Sequence, residues 1–491
     1  MHSAMTNSHR LPADAAAHAI AVIADVADPN ITAIPEEGVF VARYKQGLPC
    51  VFVPGRVKPM MLDPDELSLL EQCDGRTPIK ASPLTDRLEA MRIIRRYKDD
   101  TETVRPLRIV EYPNFYVNSI DWTITDRCNY NCRHCFHAAD NTTHRDEFSF
   151  EEAEKFLDEV KTCGIRSISL TGGEPTLYPR FQEVVEAIRD RGLYLNTLIT
   201  NGSCLTPKIL SFLKELHPEV LVRISFDGIG WHDWMRQFPG SEQKTIEAIR
   251  MCREAGLEVH VNVNVHRRNM EVMFDTVKML ADLGVGRIRI IRTSESPRWE
   301  LNKGNDTLSP EEYYDLSANL AEQYRKSYLS VPVVIWQSLF LNGKKKNYHI
   351  LPIKGTSGCI SGKEQLCSAL IGKPSVQANG DVVPCAPMGG YYAYHGIRLG
   401  NVFEKSLSEL LTKGPFVDMI TSTVQEKLLR NPKCAACEYV NECRGGCPAL
   451  SLISGSSEFS SDEYKCIFFN KGYVEKYRRA MEGWREIGEN P

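Results

Sequence analysis

The chain has 491 residues, 42% of them hydrophobic and 25% charged, with a net charge of −4. That length suits more than one domain on a prior of about 100–200 residues each, and the charge balance gives no electrostatic drive toward nucleic acid or an anionic membrane. The most apolar N-terminal stretch, residues 15–27, is broken by His18 and Asp25; it lacks the basic flank of a signal peptide and is too short and polar to span a bilayer. With a cytoplasmic location expected, sixteen cysteines argue for metal sites rather than disulfides.

Residues 1–115 read as an N-terminal extension. Val39–Tyr44 and Cys50–Val53 are expected to form a hairpin around Gly47. A helix over Pro64–Gln72, a turn at Asp74-Gly75 and a second helix over Leu84–Tyr97 follow.

Residues 116–325 alternate between β-like and α-like segments. A strand at 120–125 leads into Cys128-Asn-Tyr-Asn-Cys132-Arg-His134-Cys135, which reads Cys-x3-Cys-x2-Cys. Three thiolates this close hold three irons of a [4Fe–4S] cube and leave the fourth iron open. Zinc is the competing reading, and it needs a fourth ligand. Ser149-Phe-Glu-Glu152 is a capping box that starts a helix. A strand at 166–171 then runs into Gly172-Gly173-Glu174-Pro175, where two glycines let backbone approach a ligand closely.

Strands follow near 193–200, 220–226, 258–265 and 287–292. Thr206-Pro207 opens one intervening helix, and Gly256 and Gly284 close two others. Six β/α units of about 30 residues predict a parallel sheet, which right-handed crossovers curl into a partial barrel. Chemistry is then expected at the C-terminal strand ends. Asn201, Ser225 and Asp227 end strands there, and Arg236 follows in His232-x3-Arg236. Asn264, His266 and Arg292 are weaker candidates, and His266 reads equally as a solvent-facing residue beyond its strand.

Residues 326–491 carry a second cysteine system. Cys367-x12-Gly380-x4-Cys385 is followed by Cys434-x2-Cys437-x5-Cys443-x3-Cys447 and then Cys466, with Cys359 upstream. Eight thiolates are the number that two fully ligated cubes require. A zinc ribbon of Cys434, Cys437, Cys443 and Cys447 would leave the other four unused. The remaining five, Cys50, Cys73, Cys163, Cys204 and Cys252, read as buried small apolar residues. Lys344-Lys-Lys346 reads as a solvated turn.

These motifs together resemble the radical S-adenosylmethionine (SAM) superfamily with its C-terminal SPASM extension. The resemblance implies an α/β fold: a partial (β/α)6 barrel over 116–325, a small winged-helix-like α+β unit before it, and a SPASM domain over 326–491. It implies that Cys128, Cys132 and Cys135 ligate a cluster whose open iron chelates SAM. It also implies that Gly172, Gly173, Glu174, Asn201, Ser225, Asp227 and Arg236 line the SAM site. By analogy with the family's interleaved ligation, Cys359, Cys367, Cys385 and Cys447 hold one auxiliary cluster, and Cys434, Cys437, Cys443 and Cys466 the other. Three [4Fe–4S] clusters and SAM are thus the implied cofactors, with a flavodoxin or ferredoxin type of electron donor.

The resemblance further implies hydrogen abstraction from a substrate by a 5′-deoxyadenosyl radical. Family members act mostly on peptides, as maturases that form thioether or carbon–carbon cross-links. Others are anaerobic sulfatase maturases or tailor porphyrins and small molecules. Sulfatase maturases carry an Asp just after the cysteine that matches Cys385, whereas this chain has Ala386. The extension over 1–115 is similar in shape to the peptide-recognition domains fused to peptide maturases, and a precursor peptide is the expected partner. A plain packing extension and a non-catalytic metal-binding protein are the alternatives.

Overall fold

The structure, a computed structural model, describes residues 30–45, 49–54, 56, 59–96, 106–135, 146–293, 297–354, 360, 362–367 and 372–488. The chain divides into two compact units, one of residues 1–43 and 48–110, the other of residues 44–47 and 111–491.

The first unit is built on an antiparallel meander. Phe40–Arg43 pairs with Cys50–Phe52, which pairs with Met60–Met61. The expected hairpin is present, and Gly47 lies outside the described residues. The helix Pro64–Gln72 matches its predicted bounds, and a capping box between Asp63 and Glu66 starts it. The second helix is shorter than its periodicity suggested, covering Pro83–Ala90. Arg92 takes φ 55°, which stops the helix, and Ile94–Arg96 turns back as a strand against Ala33–Pro35. The apolar spacing ran on past the helix because Ile93 and Ile94 are buried in the same small core as Leu70 and Leu88.

The second unit holds the barrel. Its strands are β1 (Ser119–Thr123), β2 (Ser167–Thr171), β3 (Tyr194–Thr200), β4 (Leu221–Ser225), β5 (Glu258–Val265) and β6 (Arg287–Arg292). All five neighbouring pairs among these six are parallel. The sheet continues past β6 through a parallel β7 (Val333–Ile335), which pairs antiparallel with Leu339–Asn342. On the other side of β1 lies Ser375–Val376, again parallel. The bounds of β5 and β6 match the sequence reading, and the rest differ by one or two residues at the ends.

Each crossover helix follows from local signals. The helix Phe150–Thr162 begins at the Ser149–Glu152 capping box, and Pro207–Leu216 begins at N-cap Thr206 with proline at its first position. Along β4 and β5, Val222, Ile224, Val259, Val261, Val263 and Val265 are fully buried in one core with Leu213, Ala248, Ile249 and Leu280 of the flanking helices. The alternate residues Arg223, Ser225, His260, Asn262 and Asn264 are half-buried on the other face, toward the barrel interior. The parallel sheet therefore carries a polar lumen rather than two apolar faces.

Candidate functional site

Backbone packing positions the cysteine loop at the C-terminal end of β1. Gly173 N–H donates to Thr125 O at 2.8 Å, and Glu174 N–H donates to Arg127 O at 2.7 Å. A Cβ on Gly172 would lie 2.5 Å from Thr125 O, and one on Gly173 would lie 2.4 Å from Arg127 O. The two glycines are thus required where strand end and cysteine loop touch.

Glu174 is fully buried. Its carboxylate accepts from Thr200 Oγ1 at 2.8 Å, Asn201 N at 2.7 Å and Thr176 N at 3.2 Å. Burial pushes its pKa up, against the pull of these donors. It ties the end of β2 to the end of β3. Asn201 Nδ2 in turn donates to Asn129 Oδ1 at 3.0 Å and lies 4.0 Å from Cys128 Sγ. Asn129, which sequence reasoning did not single out, also donates to Ser203 Oγ at 2.8 Å. Its position inside the Cys-x3-Cys segment was the signal available.

Asp227 and Arg236 form a buried ion pair, Nε to Oδ2 2.6 Å. Burial alone would raise the Asp227 pKa, but Arg236 holds it far below the usual carboxylate range. Arg236 Nη1 reaches 3.6 Å from Cys132 Sγ. Asp227 N–H donates to His232 Nδ1 at 3.0 Å, so the ring proton sits on Nε2, facing Thr245 Oγ1 at 3.2 Å. Asp227 thus orients an arginine toward a cysteine sulfur.

His134 is tied to Asn264, whose Nδ2 donates to His134 Nε2 at 2.9 Å. Burial pushes the His134 pKa down to about 3, which keeps the ring neutral and able to accept. Ser225 ends β4 on the lumen face beside Asn262. Tyr130 packs on Phe238 at 4.8 Å and, with Cys128, Cys132 and Cys135, forms a small apolar cluster around the thiols.

Two residues, His266 and Cys204, lie otherwise than expected. His266 is fully buried among Trp234, Trp231 and Trp299 rather than solvent-facing. Arg292 is also buried, with Nη1 donating to Leu308 O at 3.3 Å and the guanidinium over the Tyr464 ring at 4.3 Å. Cys204 is half-buried and lies 3.9 Å from Asn129 Nδ2, unlike the buried Cys50, Cys73, Cys163 and Cys252.

In the C-terminal region Cys367, Cys385, Cys434, Cys437, Cys443, Cys447 and Cys466 are half-buried and unpaired by disulfides, and Cys359 lies outside the described residues. Cys447 and Cys367 are among the neighbours that push the Cys385 thiol up, after burial itself. Cys466 likewise feels Cys443, and its thiol is pushed up to about 11, mainly by burial. Lys427, buried and donating to Gly445 O at 2.6 Å, is near Cys434 and Cys443. Among the described residues no three His, Cys, Asp or Glu side chains converge on a point that would hold a single metal ion. A cube takes one thiolate at each iron corner, so its ligands stand farther apart than a zinc set. The thiol-only donor sets, the apolar wall around them and the arginine beside Cys132 suit iron–sulfur clusters.

Residues 122–288 match the family model of the radical SAM superfamily, and residues 367–438 match that of SPASM, an iron–sulfur cluster-binding domain. The AdoMet-dependent heme synthase of Methanosarcina barkeri (strain Fusaro / DSM 804) is 28% identical over 71% of this chain and 96% of that protein. The antilisterial bacteriocin subtilosin biosynthesis protein AlbA of Bacillus subtilis (strain 168) is 24% identical over 67% of each chain. Among solved structures, Streptococcus suis SuiB bound to precursor peptide SuiA has a TM-score of 0.60 at 16% identity, over 89% of this chain and 100% of that one. That last likeness is one of fold.

Proposed function

From the premise that the chain is a radical SAM enzyme carrying a SPASM domain, we propose that it oxidatively modifies a ribosomally made peptide, installing a thioether or carbon–carbon cross-link. The observation that carries this reading is the first unit. It has its own core and ends its meander in Met60–Met61, an edge strand of its sheet among the described residues. An exposed sheet edge is a site where an extended peptide adds a strand, with main-chain hydrogen bonds giving affinity and side pockets selectivity. SAM cleavage itself has no need of such a unit. The relative named for subtilosin biosynthesis, and the fold shared with a structure holding a precursor peptide, support the same reading.

Cys128, Cys132 and Cys135 would hold the cluster that, when bound, supplies the electron for reductive cleavage of SAM. Burial raises the Cys128 thiol to about 12, so it is a thiolate only with a metal on it. Arg236 offers Cys132 Sγ a positive neighbour, and Asp227 holds Arg236 there. Glu174 fixes the ends of β2 and β3; Asn201 and the Gly172–Gly173 turn lie against the cysteine loop, and with Ser225 they would line the SAM site. The lumen excludes bulk water and orients the substrate, which is proximity catalysis by a protein around a cofactor. Cys359, Cys367, Cys385 and Cys447 would hold one auxiliary cluster, and Cys434, Cys437, Cys443 and Cys466 the other, where a further substrate electron can go. A flavodoxin or ferredoxin type of protein is the proposed donor.

A second reading is oxidation of a porphyrin, favoured by the heme synthase match over 96% of that relative. Deletion of residues 1–110 separates the two. For a peptide maturase the truncated enzyme still cleaves SAM but has a raised KM for full precursor, while core peptide at high concentration reacts slowly. A soluble truncated enzyme that processes precursor at the full rate would reject leader binding. Substrate-dependent SAM turnover with a propionate-bearing iron porphyrin, and none with any precursor, would replace the first reading by the second.

A further inference from the structure

The barrel lumen holds more positive charge than its own carboxylates balance. Arg223, the middle residue of β4, and Arg289, in β6, both lie on the half-buried inner face between fully buried neighbours. The registers Arg223↔His260↔Arg287 and Ser225↔Asn262↔Arg289 put them one layer apart along the sheet, on the two strands that flank β5. Arg289 rests over the Trp336 ring at 5.8 Å to its centroid. Neither guanidinium makes a hydrogen bond within the described residues.

The other charged groups facing this space do not neutralise them. Asp121 of β1 influences both arginines, but its Oδ1 is already 2.6 Å from Lys373 Nζ. Arg287 adds a further positive charge at the entry of β6, and Glu258 is engaged by Arg253 at 3.6 Å and by His260 at 3.4 Å. His260 is neutral at pH 7 because burial, then Arg287 and Arg223, push its pKa down to about 4. Tyr313 spends its hydroxyl on Trp336 O at 2.7 Å. Partly buried like charges without a counter-ion are costly, and such an arrangement persists where a ligand supplies the missing charge.

We propose that Arg223 and Arg289 form a carboxylate-binding site in the barrel lumen that holds an acidic group of the substrate. This rests on the reading that the lumen takes the substrate. Arg223 stands two residues before Ser225 on the same face, roughly 7 Å along the strand, so a carboxylate held there leaves the next few atoms of the substrate within reach of the site at the strand ends. The planar guanidinium fork suits bidentate pairing with a carboxylate, and Trp336 limits the rotation of the Arg289 side chain. The same chemistry would take an aspartate or glutamate side chain of a peptide or a porphyrin propionate.

The test uses full-length enzyme, anaerobically reconstituted, as wild type, R289K and the double variant R223Q/R289Q. Calorimetric titration measures the binding of a blocked Ala-Glu-Ala peptide, its glutamine counterpart, an iron coproporphyrin and SAM. The expected result is that wild type prefers the glutamate peptide or the porphyrin, and that the double variant binds it about thirtyfold more weakly, the low end of what losing a buried charge partner costs. R289K should fall between, because it keeps the charge but not the fork. The double variant should melt no lower than wild type, since it removes uncompensated charge, whereas a structural role would lower its Tm. Equal binding of both peptides and of the porphyrin by wild type and the double variant would overturn the site. A loss confined to SAM would overturn it too, by making the arginines cofactor contacts. Arginine-dependent binding of the porphyrin alone would uphold the carboxylate site and reject the peptide reading. Leader-dependent peptide turnover that ignores both arginines would do the reverse.

Discussion

Gly173 shows why a short motif carries so much at the residue scale. Its Cβ would fall against two backbone carbonyls, Arg127 O at 2.4 Å and Asp126 O at 2.6 Å, neither of which is the end of a flexible side chain. Gly173→Ala therefore has to move the cysteine loop or the strand end, at a cost of about 1–3 kcal/mol typical of overpacking. The expected outcome is a folded protein that loses iron at the first site and cleaves SAM poorly. Iron analysis and deoxyadenosine formation, measured together with circular dichroism, check it; full iron and wild-type cleavage would contradict it. Sequence reasoning assigned Gly172 and Gly173 to a ligand, and the structure adds that they are needed first for loop packing. Asp227 is similar: it was read as a strand-end contact, and its carboxylate is spent on Arg236.

At the scale of the element, β5 couples the lumen to acid stability. Its outward residues are valines in the core and its inward residues are His260, Asn262 and Asn264. The His260 pKa is lowered to about 4 in the folded chain from an ordinary 6.5, by burial and by Arg287 and Arg223. Between those values the unfolded chain binds the proton and the folded chain does not, so stability rises with pH across that window. The contribution is fully present above about pH 6.5 and is lost as pH falls toward 4. His260→Asn should flatten the stability–pH slope between pH 4 and 6.5 and leave it unchanged above pH 7. Urea midpoints for both proteins at pH 5 and pH 7.5 decide the matter, and parallel slopes would reject it. The helix expected over Leu84–Tyr97 shows the converse limit: apolar spacing cannot tell a continued helix from a turn into a strand when both bury the same isoleucines.

For the whole molecule, the inventory is eleven cysteines in three spacing patterns among sixteen. If each pattern holds a cube, the reconstituted protein carries about twelve irons and matching sulfide. Iron and sulfide counts under anaerobic conditions test this. Stoichiometric zinc without charge-transfer absorbance would reject the cluster assignment for every site. No helix among the described residues is long and apolar enough to cross a membrane.

Sequence alone determined the class of chemistry and the order of the barrel. Cysteine spacing is a covalent property of the chain, and the alternation of capping signals, glycine stops and apolar runs is local, so both are legible before folding. What only the tertiary structure decided is how distant residues combine. Asn129 meets Asn201 across 72 positions, His134 meets Asn264 across 130, and Arg236 reaches Cys132 across 104. That Arg223 and Arg289 share the lumen face, on the two strands that flank β5, was invisible for the same reason. An arginine in a strand reads as solvent-facing until the parallel register closes the sheet, and only then does it point into an interior with too few carboxylates to meet it.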